Sequence, residues 1–175
     1  MRTESESFQP ADIAGFLDEF AIVERDSLAE RLTAAGARLL ELAPRIPEAA
    51  PPGTQGWNPH QVLAHIAALS KLYGMLTYRI GSGALDEFEL MPMINQRDSA
   101  GAALTQLPIP ELLAMIQADH QRTLDYVRGA GPDDLRRTCR LGPGWTMSAG
   151  EVLRLALVAH VEQHVQQLEA ALTDS

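Results

Sequence analysis

The chain is poor in everything that would hold a fold together other than packing. A single cysteine, Cys139, stands among 175 residues, so no internal disulfide can form and a reducing compartment is expected. Aromatic residues make up only 5% of the chain against 46% hydrophobic residues, so a core must be assembled mostly from Leu, Ala, Val and Ile, and Leu and Ala favour helices. Positive charge is short as well: 14 Lys and Arg against 23 Asp and Glu leave a formal net charge of -9. With no basic cluster interleaved with aromatics, that charge argues against a nucleic-acid partner. No apolar run approaches the roughly 20 residues that cross a bilayer. The opening MRTESESFQPADIAGF has acidic residues where a secretory leader needs positive charge and a continuous apolar stretch. The expectation is a cytoplasmic protein with neither nucleic acid nor membrane as partner, and with Cys139 as an incidental loop thiol.

What the chain does have is helical periodicity. Its length suits one domain over residues 1–175 with a hydrophobic core of its own. From about Pro10 to Ala43, Ile13, Phe16, Leu17, Phe20, Ile22, Val23, Leu28, Leu32, Leu39 and Leu42 fall at mostly helical spacing. The proline-rich PRIPEAAPPGTQG then reads as a connection. A second helix is signalled by Asn58 as N-cap, Pro59 at the first helical position and Gln61 three residues after Asn58; it should run to about Ile80. Pro110 opens a third helix, with Leu113, Ile116, His120, Leu124 and Val127 on one stripe, which Gly129 and Gly131 stop. After Trp145, a start at Thr146 or a Ser148–Glu151 capping box leads into a fourth helix that ends near Leu172.

Four amphipathic segments without a convincing alternating run predict an all-α four-helix bundle. The 84–109 connection between helices two and three is long enough to cross the bundle, with a short helix around Met93 to Leu104. Loops of that length often carry function. Gly56-Trp57-Asn58 and Gly144-Trp145-Thr146 both precede a histidine-bearing helix, too short an echo to make an internal repeat.

The chemistry lies in those histidines. Residues i and i+4 of a helix differ by about 40° in direction and about 6 Å in height, so His160 and His164 project from one face and can converge on one ion. That face continues through Leu153, Ala156, Leu157, Gln167 and Leu168, which turns both rings inward. His65 shares a face with Val62, Leu69 and Leu72. Three neutral nitrogen ligands from two helices leave at least one coordination position open, the arrangement of a reactive metal site. The other reading is a set of core or interface histidines hydrogen-bonded within the protein. His60 is offset by about 140° from His65 and should face solvent. His120, amid an apolar stripe, is either a satisfied core residue or a polar group lining the pocket.

The segments GWNPHQVLAHIAAL and GWTMSAGEVLRLALVAHVEQHVQQL, with MINQRDSAGAAL, PELLAMIQADHQRTLDYV and GPDDL between them, resemble the DinB-like metalloenzyme superfamily. That group includes the N-terminal domain of mycothiol-dependent maleylpyruvate isomerase, and the resemblance covers nearly the whole chain. It implies a four-helix bundle whose divalent metal is held by one histidine of the second helix and an HxxxH pair of the last, here His65, His160 and His164. Gln167 matches a glutamine that often follows the last histidine, placed to orient His164. Without a counterpart of the isomerases' C-terminal domain, the expected relatives are the shorter members, which include thiol S-transferases.

Zinc or nickel as the ion, a low-molecular-weight thiol as cosubstrate and an electrophilic small molecule as substrate follow from that resemblance, with Tyr73, Arg79, Asn95 and Arg97 near the connection as candidate contacts. Hydrolysis is open to the same three ligands. A different class of function, a non-catalytic metal-binding or dimerisation module, also fits the bundle, and helical bundles commonly pair as homodimers.

Overall fold

In the computed structural model, which describes residues 9–47, 57–93 and 103–173, four long helices surround one core. Helix α1 spans Pro10–Leu42 and closes in a 3₁₀ turn over Ala43–Arg45. Helix α2 spans Pro59–Gly81 and α3 spans Ile109–Gly129, followed by the short α4 over Pro132–Arg136. The last long helix, α5 (149–173), has three parts: an α turn Ala149–Glu151, a π-helical stretch Val152–Ala159 and an α-helical stretch His160–Thr173. The middle of the 84–109 connection, with most of the Met93–Leu104 helix expected from the sequence, lies outside the described residues; 90–93 and 103–104 are helical turns.

Cross-helix contacts fix the directions. His60 meets Leu107, Ser70 meets His120 and Tyr78 meets Tyr126, so positions rise together along α2 and α3 and the two helices run parallel. Their close approach requires Gly74, since a Cβ there would collide with the Thr123 hydroxyl. Parallel neighbours need a connection that returns along the bundle, which is the crossover expected from the length of 84–109. Along α1 and α5, Glu24 pairs with Arg154, Arg31 with Glu162 and Arg38 with Glu169, so these two are parallel as well. The three α1 positions are seven residues apart, one stripe of a helix, and they set the axial register of α5.

Both histidine-bearing helices start as the sequence predicts. In α2, Gln61 N–H donates to Asn58 Oδ1 (2.9 Å) and Asn58 N–H donates to Gln61 Oε1 (3.0 Å). In α5 the cap is Ser148, not Thr146: Glu151 N–H donates to Ser148 Oγ (3.1 Å) and Ser148 N–H donates to Glu151 Oε2 (2.7 Å). Thr146 lies instead in a two-stranded antiparallel hairpin of β1 (Thr138–Arg140) and β2 (Thr146–Ser148), which the sequence presents only as a loop. Three-residue strands are too short to show an alternating pattern. Cys139 therefore sits in a strand and is buried in the core, where desolvation, then Asp86 and Glu87, push its thiol pKa up.

Two apolar stretches depart from expectation. Residues 9–27 of α1 contribute no buried side chain, so Ile13, Phe16, Leu17, Phe20 and Val23 are outside the core that begins at Leu28. In α5 the buried seam after the π stretch is Val161, Val165, Leu168 and Leu172. A uniform 100° step would carry the phase of Leu153 and Leu157 onto His160 and His164, but the wider π turns absorb about one residue of rotation. The core seam thereby moves to the valines. Each histidine immediately precedes a buried valine and stands about 100° to the side of the seam.

Candidate metal centre

That offset places the histidines at the edge of the core. His65, His160 and His164 are all half-buried, so the rings remain within reach of solvent, in contrast to the fully inward position expected from a uniform helix. One nitrogen of each ring lies within 4.8 Å of the others. His160 Nε2 is the hub: it is 3.1 Å from His65 Nε2 and 3.0 Å from His164 Nε2. His164 Nδ1 lies 2.8 Å from Gln167 Oε1, which is exposed one turn further along α5. An amide oxygen only accepts, so His164 donates from Nδ1 and keeps a lone pair on Nε2, directed at the cluster. A single hydrogen cannot serve two Nε2–Nε2 contacts at one hub atom, whereas a cation that accepts a lone pair from each ring satisfies all three nitrogens together. The donor set fits a divalent ion.

Electrostatics agree with a neutral ring at the hub. Burial, and after it the neighbouring His164 and His65, push His160 down to about 3. At neutral pH its imidazole is uncharged, the form that ligates.

Two aromatic residues flank the cluster. Trp57 stands immediately before the N-cap of α2, and its indole packs at 4.4 Å between centroids on His65, with His164 at 6.4 Å and nearly parallel. The indole keeps half of its surface exposed, so it forms an outer wall of the site. Sequence reasoning assigned it no such role, and the trace it leaves is the Gly-Trp pair before the cap. On the inner side, buried Tyr73 sets its ring 5.9 Å from His160, edge to face. Of the other sequence candidates, Arg79 is exposed near the far end of α2, and Asn95 and Arg97 lie outside the described residues.

The remaining histidines are held elsewhere. His120 is 4% exposed, and its Nε2 is 3.0 Å from Ser70 Oγ of α2. Desolvation alone pushes its pKa down to about 4. His60 is half-buried with Nε2 2.9 Å from the Leu107 carbonyl, so it ties α2 to the end of the crossover in place of facing solvent. Its 140° offset from His65 points toward α3, a direction that one helix's periodicity cannot distinguish from solvent.

Fold and site together define a helical bundle whose clustered histidines can hold a metal ion at the edge of the core. The chain belongs to the DinB superfamily, whose family model matches residues 23–168. No curated protein and no solved structure matches it.

Proposed function

We propose that the protein is a metal-dependent enzyme that activates a low-molecular-weight thiol for S-transfer to an electrophilic small molecule. The observation that carries this reading is the convergence of three imidazole nitrogens on one point, 3.0 and 3.1 Å from the His160 hub. Ligands without charge leave an ion's own +2 undiminished, and three of them leave part of its coordination sphere free. Family membership supports the metal, since DinB-like proteins bind metal ions. The resemblance to members that include thiol S-transferases supports the reaction class.

When bound, a divalent ion supplies the charge that lowers a thiol pKa, ordinarily near 8.5, so that thiolate is present at neutral pH. The chain's own residues do the rest. His65, His160 and His164 hold the ion, and imidazole suits zinc and nickel alike. Gln167 fixes the His164 tautomer. Trp57 and Tyr73 close two sides of the cluster, limiting water there and offering ring surface to a substrate. A reducing, cytoplasmic setting accords with the lone buried cysteine and would supply small thiols.

Untagged protein loaded with zinc or nickel should hold one ion per chain, and His160→Ala should lose it. With a panel of thiols and electrophiles, turnover should disappear in the same variant. A chain that takes up neither metal sinks the reading. Stoichiometric metal without turnover on thiols, or with turnover only on hydrolysable esters and amides, would transfer support to a binding module or to a hydrolase built on the same ligands.

A further inference from the structure

Helix α1 carries two apolar seams. The inner one, Leu28, Leu32, Ala35, Leu39 and Leu42, is buried in the chain's own core. The outer one, Ile13, Phe16, Phe20 and Val23 with Leu17 beside it, has side chains 50 to 66% exposed. The five-residue step from Val23 to Leu28 turns the helix by about 140°, so the two seams face different ways. Polar contacts hold the first half of α1 in place along another side. Asp18 pairs with Arg136 (2.6 Å), Glu24 with Arg154 (2.9 Å), and Arg25 Nη1 donates to the Ala130 carbonyl (2.9 Å). The exposed seam is thus a face of a docked helix, not of a loose end.

We infer that this seam is where a second copy of the chain binds, with the two α1 helices antiparallel about a two-fold axis at the level of residue 18. Its apolar positions are spaced 3, 4 and 3, which reads the same in both directions. A two-fold copy therefore sets Phe16 against Phe20 of its mate and Ile13 against Val23, four apolar pairs from one stripe. This meets the self-complementarity an isologous interface requires. The five residues expose roughly 500 Å² per chain, so complete coverage of both copies withdraws about 1,000 Å² from water, the threshold of a specific interface. A groove of about 400 Å³ beside the seam, lined among others by Leu17, Phe20, Leu28, Leu135 and Leu153, receives flanking side chains of the mate. The metal site takes no part in the contact.

Sedimentation velocity and light scattering on the full chain should give twice its 19.1 kDa mass. Phe16→Glu with Phe20→Glu should return it to the monomer mass, with helical circular dichroism and metal uptake unchanged. Orientation is read in a Cys139→Ala background. Antiparallel helices bring residue 13 close to residue 23 but leave the two copies of residue 13 about 15 Å apart. Ile13→Cys with Val23→Cys should therefore cross-link under oxidation, and Ile13→Cys alone should not. A monomeric wild type or a dimeric double-glutamate variant overturns the interface, and cross-linking through Ile13→Cys alone overturns its antiparallel register.

Discussion

Helices α2 and α5 both follow a Gly-Trp pair, both close a capping box in their first turn and both bring histidine to the same cluster. Yet α2 keeps a single helical phase for 23 residues, while α5 passes through eight π-helical ones before its first histidine. The regular helix is buried on most sides, and His65 stands half-buried within it. The interrupted helix has two buried seams out of step by about one residue, and its histidines stand where the seams part. A metal site at the edge of a core needs rings that are anchored and still open to solvent, and the phase slip supplies that position without a polar gap in the seam.

The comparison breaks most visibly under deletion. Removing Leu155, which is exposed within the π stretch, should restore continuous α-helix and keep the phase of His160 and His164. Removing Lys71, also exposed but in regular α2, should rotate Leu72, Leu76 and Ile80 by about 100° out of the core. Thermal unfolding followed by circular dichroism should stay cooperative for the first variant, with metal uptake retained, and be lost for the second. Equal damage from both would mean that the π stretch absorbs no rotation.

A smaller effect sharpens the regular side, where Ser70 of α2 contacts buried His120. Because the folded-state pKa of His120 is lowered from 6.5 to about 4, the unfolded chain takes up the proton first as pH falls. Stability should therefore decrease between pH 6.5 and 4, and this contribution should level off below that. The full span amounts to about 3 kcal/mol. His160 in metal-free protein acts with the same sign, so the informative quantity is the difference between wild type and His120→Gln in denaturant titrations at pH 7 and pH 5. Parallel pH profiles would show that His120 carries no such linkage.

The smallest test concerns how each helix orients its ring. His164 is oriented by Gln167 of its own helix, and His65 is packed by Trp57 from outside the helix. Gln167→Leu should weaken metal affinity by roughly 10- to 100-fold, read by competition with a chromophoric chelator, with the unfolding midpoint unchanged. Unaltered affinity would remove Gln167 from the site.

These contrasts also mark what could be read in the residues. The α2 boundaries, the Ser148–Glu151 box, and the mutual approach of His160, His164 and Gln167 are short-range features that the structure shows as spacing predicts, although the histidine pair faces the edge of the core. The phase slip in α5 is different, because VLRLALVA is apolar in nearly every direction and such a run carries no phase information. The hairpin has three-residue strands, below the length at which alternation registers. In α1 the outer seam is as helical and as apolar as the inner one, and only the placement of the neighbouring elements determines which of the two is covered. Trp57 shows the same limit from the other direction, since its contacts with His65 and His164 join positions that only the tertiary fold brings together.

The crossover that makes α2 and α3 parallel has a kinetic consequence. His65 meets His160 across 95 positions, and α1 meets α5 across about 130, so local contacts alone cannot assemble the cluster. High contact order slows folding, and synthesis from the N-terminus releases α5 last. His65 therefore joins the His160 and His164 pair only after every other long helix is available to dock. Loading of the site, monitored during refolding, would then serve as a clock for the final step, with a partly folded chain offering an ion no more than the His160 and His164 pair.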